Sequence, residues 1–284
     1  MAPGKINFYL DVLNKREDGY HNIRSVMQSV SLCDTLTLEI SDKHKCDIVI
    51  TCSDHSIKCD GSNLVYKAAK LFTERLGIMS GHLHFHIEKN IPIAAGMAGG
   101  SADAAAALRL LNSAYGSPYT PAELCNMGSL IGADVPFCIL GGTRICEGIG
   151  EELSALPTFS GIDILCAIDS SSVSTPKAFG MLDEKYGTDC KDSADISKMT
   201  DAIAKRDKDL LCSALYNKFE DVIIPVNPNI TLIKNTLLEC GAVGALMSGS
   251  GPSVFGIFDS EDDAVLASEK LKKMGIRAYP CKTI

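Results

Sequence analysis

Pro92-Ile93-Ala94-Ala95-Gly96-Met97-Ala98-Gly99-Gly100-Ser101-Ala102 is the stretch on which the reading of this chain turns. Upstream, Leu83, Phe85 and Ile87 alternate with histidines over His82–Glu88, as in a half-buried strand. Downstream, an alanine-rich run from about Ala102 to Leu111 predicts a helix. Gly96, Gly99 and Gly100 permit a tight path with backbone N–H groups turned inward, and the alanines between them leave room for a ligand. The positive end of the helix points at the same spot, so strand, loop and helix together make an anion cradle. A loop that merely joins a strand to a helix fits the same composition. No Gly-Lys-Ser/Thr closes the loop, so it is not a Walker A motif, and the surroundings of a Rossmann fingerprint are not evident. Ser101 either caps the helix or turns its hydroxyl toward a phosphate or a metal. Asp103 suits the helix dipole but repels a phosphate unless a cation lies between them.

The 284 residues carry 27 basic and 35 acidic side chains, a net charge of −8. That balance argues against a nucleic-acid partner, which would need a basic face, but allows one local anion site. The uncharged stretch Gly241–Phe258 is broken by five glycines and Pro252, so no membrane span is expected. No basic region followed by an apolar core opens the sequence. The twelve cysteines lack any Cys-x-x-Cys pair and read as reduced thiols, which points to the cytoplasm.

Strands are expected at Ile6–Val12, Thr35–Ile40 and Cys46–Cys52, and a helix at Asn63–Leu76 closed by Gly77. Thr120-Pro-Ala-Glu123 is a capping box. Beyond Pro157 the pattern restarts, with a strand at Ile162–Ile168 and helices near Pro176–Tyr186, Asp207–Tyr216, Asn229–Glu239 and Glu261–Met274. The polar segment Asp189–Asp195 reads as an exposed connection. Strands and helices are mixed rather than strictly alternating, which favours an α+β fold over a doubly wound sheet. A boundary near 155 divides the chain into domains 1–155 and 156–284.

Three further segments stand out. In Ala2-Pro3-Gly4-Lys5-Ile6-Asn7, Lys5 and Asn7 share one face of the first strand. Gly132-Ala133-Asp134-Val135-Pro136 sets a lone carboxylate among small and apolar residues, where a cation such as Lys5 would relieve its cost; a helix-terminal or turn acid is the plainer reading. Ser248-Gly249-Ser250-Gly251-Pro252 is a second flexible loop. His82, His84 and His86 lie on one strand face, but no carboxylate stands at a clear spacing, so no metal site is assigned there.

Pro3–Asn7, the Gly96 loop and the Ser248 loop, in that order and at these distances, resemble the three motifs of the GHMP kinases. Within that family, Asp18-Gly19-Tyr20-His21, Gly132–Pro136 and Glu147-Gly148-Ile149-Gly150-Glu151 are similar to the branch acting on CDP-methylerythritol. The resemblance runs from residue 2 to about 258. It implies a two-domain GHMP kinase fold with ATP and substrate in the cleft between domains, and transfer of the γ-phosphoryl of ATP, with Mg²⁺, to the tertiary 2-hydroxyl of that substrate. By the same carry-over Asp134 accepts the hydroxyl proton or orients the hydroxyl, Lys5 is its electrostatic partner, and Asn7 touches substrate. Residues 92–102 hold the triphosphate with Ser101 near the metal, and Asn63 and Lys89 contact ATP. Tyr20 and Phe179 sandwich the cytosine, His21 reads its edge, and Ile149 lines the pocket; stacking alone does not choose between bases. No side chain is assigned as a metal ligand. Ala94, Ala95 and Ala98 stand where many relatives have glycine, and their methyls fit the cradle if φ stays negative. A GHMP kinase for another small alcohol, such as homoserine or mevalonate, is the nearest alternative, but it needs no base sandwich. A non-catalytic nucleotide sensor would be expected to have lost Lys5 or Asp134.

Overall fold

The computed structural model describes residues 1–171, 173–188 and 194–284, so the connection expected at 189–195 lies outside the described residues up to 193. The first half runs β1 (Ala2–Lys15), β2 (His21–Ser41), β3 (Cys46–Cys52), α1 (Leu64–Leu76), β4 (Gly81–Glu88), α2 (Gly99–Ala114), α3 (Pro121–Ser129), α4 (Val135–Leu140), β5 (Thr143–Glu147) and β6 (Glu152–Ala155). The second continues with β7 (Asp163–Ile168), α5 (Thr175–Tyr186), α6 (Ser197–Lys205), α7 (Lys208–Ser213), β8 (Tyr216–Asn217), α8 (Glu220–Ile223), α9 (Asn229–Glu239), β9 (Gly244–Met247), β10 (Ser253–Phe258), α10 (Glu261–Lys273) and β11 (Arg277–Lys282). The class is α+β, as the mixed pattern implies.

The chain packs as two units, each built from separate stretches of sequence. One comprises Met1–Gly4, Cys33–Ile93 and Ala98–Gly141; the other comprises Lys5–Leu32, Ala94–Met97 and Gly142–Ile284. The sequence boundary at 155 divides the chain differently, because residues 142–155 pair with an early strand: Ser25–Gln28 of β2 align with Thr143–Cys146 of β5.

In the first unit, β4 pairs antiparallel with the end of β2 and parallel with β3. Asn63 caps α1 by accepting from Val65 N, and Gly77 ends it in the left-handed region. The capping box at Thr120 and Glu123 forms in full at the start of α3. Helix α2 buries Ala102, Ala104–Ala107, Leu108 and Leu111. Side chains this small let neighbouring helices approach closely, which is why an alanine-rich helix sits inside rather than on the surface.

In the second unit, a four-stranded sheet in the order β11-β7-β10-β9 packs with α9 and α10. Its core joins Leu165, Ala167, Val254 and Phe258 to Ile230, Ile233, Leu237, Ala267 and Leu271, and also to Leu10, Val12 and Ile23 from the far N-terminal strands. Ser260 caps α10, three acids occupy its first turn and three lysines its last, matching the helix dipole at both ends. The short β8 pairs parallel with β1, aligning Tyr9 with Tyr216 and Leu10 with Asn217.

Candidate active site

In the second unit, Lys5 on β1 is 4% exposed, yet its ammonium faces an amide oxygen rather than a carboxylate of that unit: Nζ donates to Asn7 Oδ1 at 2.7 Å. The backbone N–H of Lys5 donates to Met97 O. Asn7 Oδ1 also accepts from Gly249 N at 3.1 Å, and Asn7 Nδ2 donates to Ser25 Oγ at 2.8 Å. Lys5, Asn7, the 94–97 turn and the Ser248 loop therefore come together as the motifs imply, with Asn7 at the hub. The approach is close: a methyl group on Gly96 would stand 2.6 Å from Ser248 O, and Gly96 has φ +71°. Only glycine satisfies both demands.

The alanines correct the sequence reading. Ala94 (φ 55°) and Ala98 (φ 58°) adopt the left-handed region instead of keeping φ negative. Alanine there carries a steric penalty of about 1 kcal/mol or more.

In the first unit, α2 starts at Gly99 after Ala98, whose methyl offers no cap acceptor. Ser101 lies three residues inside the helix, so it does not cap it, and among the described residues its hydroxyl makes no hydrogen bond. The first helical hydrogen bond is Ala102 N to Ala98 O, which among the described residues leaves the N–H groups of Gly99, Gly100 and Ser101 as open donors at the positive end of the dipole. An ideal Cβ at Gly132 would lie 3.9 Å from Ser101 Oγ, so the 132–134 turn stands beside this helix start. Leu64, next to Asn63, reaches the same place: its Cδ1 would be 3.6 Å from a Cβ on Gly100. Asn63 itself spends its side chain on Val65 N and Lys58 O.

Asp134 occupies the residue before α4 but makes no side-chain cap there. Among the described residues, its carboxylate forms no hydrogen bond or ion pair within its unit. The helix-terminal placement of the plainer reading is thus right. A carboxylate with no structural duty is available for chemistry.

Lys89 is buried and shared by two carboxylates, Asp34 and Asp103, the latter at 2.8 Å. Asp34 also accepts from Asn90 N and Ile91 N. Burial opposes charge on Lys89, but the two acids outweigh it and hold its pKa above the ordinary value. Asp103 is pushed up to about 7, chiefly by burial, against the pull of Lys89, and among the described residues its Oδ1 has no hydrogen-bond partner. The cation that faces Asp103 is therefore Lys89, held inside the unit.

Around the start of β2, Asp18 accepts from Tyr20 N and Arg16 Nε, forming a turn that leaves Tyr20 60% exposed. His21 is buried, and its ring stacks on Phe179 at 4.5 Å between centroids, 12° from parallel. The structure thus pairs Phe179 with His21, while Phe219 meets Phe179 edge-on at 4.9 Å. His21 Nε2 is held by Asp183 Oδ1 at 2.7 Å, and Lys15 takes the other oxygen. Those two partners outweigh burial and keep Asp183 below the usual carboxylate range. Sequence reading missed Asp183, although it stands one helical turn beyond Phe179 on α5, the signal that would have found it. Ile149 N donates to Glu151 Oε2, and Gly148 O accepts from Ile23 N, which places this turn beside the same strand start.

On the outer face of β4, His82 pairs with Asp47 while His84 and His86 share Thr51 Oγ1. Among the described residues, no cysteine is joined in a disulfide. Among the described residues, no helix is long and apolar enough to cross a membrane.

Against known proteins, the family model described as GHMP kinases N terminal domain matches residues 63–142, and that described as GHMP kinases C terminal matches 199–277. A protein of Acetivibrio thermocellus named 4-diphosphocytidyl-2-C-methyl-D-erythritol kinase is 42% identical over 100% of this chain and 98% of its own length. One of the same name from Clostridium tetani is 41% identical over 100% and 99%. A crystal structure of 4-(cytidine 5'-diphospho)-2C-methyl-D-erythritol kinase, 30% identical, superposes with a TM-score of 0.80 over 99% of this chain and 97% of that one. Homoserine kinase from Cytophaga hutchinsonii, at 19% identity and a TM-score of 0.75, shares the fold.

Proposed function

The chain belongs to the GHMP kinases and, within them, to the 4-diphosphocytidyl-2-C-methyl-D-erythritol kinases, and from that premise we propose which of its residues carry the reaction. The activity is transfer of the γ-phosphoryl of ATP to the 2-hydroxyl of CDP-methylerythritol, a step in making isoprenoid precursors without mevalonate. Such a transfer asks the protein for positioning and charge stabilisation more than for covalent chemistry. The open N–H groups of Gly99, Gly100 and Ser101 receive the triphosphate, and the dipole of α2 favours its charge. Asp134 accepts the hydroxyl proton or orients the hydroxyl along the line of attack. Lys5 supplies positive charge that steadies the attacking oxygen. Mg²⁺ when bound neutralises the phosphates; the unpartnered Ser101 hydroxyl is the oxygen in the cradle that suits it. Tyr20 and Phe179 hold the cytosine, and His21, with Nε2 fixed by Asp183, offers Nδ1 to the base edge. An ATP-dependent step of this kind fits a cytoplasmic enzyme.

The observation that carries this reading is the unspent Asp134 carboxylate, placed in the same unit as an uncapped helix start. ADP release with CDP-methylerythritol, homoserine and mevalonate tests it. Wild type is expected to prefer the cytidyl substrate, and Asp134→Asn to lose about 100-fold or more in kcat. Undiminished turnover in Asp134→Asn removes that residue from the mechanism, and a preference for either small alcohol removes the substrate.

A further inference from the structure

Asn217 lies on the two-residue β8, is buried, and spends its whole amide on the protein. Nδ2 donates to Met247 O at 2.7 Å and to Gly249 O at 2.9 Å, while Oδ1 accepts from Phe219 N at 3.0 Å. The two carbonyls it grips bracket Ser248, inside the glycine-rich turn that follows β9. A Ser-Gly-Ser-Gly sequence has wide backbone freedom, and Gly249 takes φ +59°. Something has to select one conformation. On its other side the same turn donates Gly249 N to Asn7 Oδ1, the oxygen that also receives Lys5 Nζ. Ser248 Oγ lies 3.4 Å from that oxygen and from Gly96 O.

We infer that Asn217 is a positioning residue for Lys5: by fixing both carbonyls of the turn, it sets where Gly249 N meets Asn7, and so the direction in which Asn7 holds the ammonium. Asn217 touches no reacting atom. Two donors on one rigid side chain are required, because a hydroxyl or carboxylate cannot donate to both carbonyls. Without them the turn relaxes, Gly249 N leaves Asn7, and the ammonium loses its orientation while its charge remains. The inference rests on the reading that Lys5 serves phosphoryl transfer.

A double-mutant cycle tests it. Asn217→Asp keeps the shape and replaces both donors by acceptors facing carbonyls. It is expected to lower kcat about 100-fold with the KM for the alcohol changed by less than about threefold. Asn217→Gln, which keeps both donors, should recover part of the rate. In a Lys5→Ala background Asn217→Asp should cost little more, because the residue acts through Lys5. Leu271→Ala, buried in the same unit away from the turn, is the control for lost stability. Asn217→Ser, which buries no charge, replaces Asn217→Asp if the latter fails to fold. Losses that add across the cycle, or a kcat loss of the same size in Leu271→Ala, overturn the inference. Each cycle is run with the alcohol that wild type phosphorylates, so a wrong acceptor shows in wild type alone and a wrong role for Asn217 shows in the cycle.

Discussion

A carboxylate buried in the second turn of a helix is an electrostatic liability, and Asp103 is accommodated beside an ammonium. Its partner Lys89 is shared with Asp34, so two acids and one ammonium stand together under the cradle. Unfolded, the Asp103 carboxyl ionises near 3.8; folded, near 7. Between those values the folded chain keeps a proton that the unfolded chain has lost. Stability contributed by this group is therefore present at low pH and falls as pH rises from about 4 to about 7. Asp103→Asn removes that slope. Urea unfolding from pH 5 to 8 should show wild type losing on the order of 2 kcal/mol relative to the variant. Asp11, raised to about 6 mainly by burial, slopes the same way in both proteins and cancels. Parallel curves would assign the titration to another group. The sequence shows that Asp103 needs a cation but not which one, since Lys89 and Asp34 reach it from separate strands. The backbone of Ala94 and Ala98 was not legible either, since both stand in the left-handed region against alanine's local preference.

Elements with their own chemical punctuation were legible. The box at Thr120 and the helix from Asn229 match closely, since caps and turn residues act within a few positions. The 21-residue β2 was read only near its end, where polar and apolar residues alternate; its buried start, His21–Val30, lacks that period. The two-residue β8 has no periodicity to read, and it carries Asn217. Helix α5 was legible as a helix, but its stacking of Phe179 on His21 was not, and this divides two substitutions that sequence alone would treat alike. Tyr20 is mostly exposed and Phe179 is packed on His21 and Phe219. Tyr20→Ala should raise KM for the cytidyl substrate by roughly 5- to 100-fold, the range of one base–aromatic stack, with KM for ATP and Tm nearly unchanged. Phe179→Ala should raise the same KM and also lower Tm, because it removes packing. Equal effects of either substitution on both KM values would eliminate the sandwich.

For the whole molecule, chain order and packing part company, and that decides what a fragment can do. A boundary at 155 follows from the restart of the strand pattern, yet the core of the second unit includes Leu10, Val12 and Ile23, all nearly solvent-free. Cutting the chain there strips these side chains from the sheet β11-β7-β10-β9 and removes β1 from β8. Burying each is worth about 1.5–3 kcal/mol, so their loss removes roughly 4.5–9 kcal/mol. A domain holds only about 5–15 kcal/mol in total, so the fragment 156–284 has little or nothing left. It is expected to be unfolded or aggregated, with poorly dispersed amide proton spectra, even though it contains every strand of its own four-stranded sheet. Supplying residues 1–155 as a second chain should restore dispersion, because those residues carry β1, β2, β5 and β6. A fragment 156–284 that gives a dispersed spectrum and a cooperative melt alone would show that the sequence boundary is a true folding boundary and that the N-terminal strands are dispensable to this core.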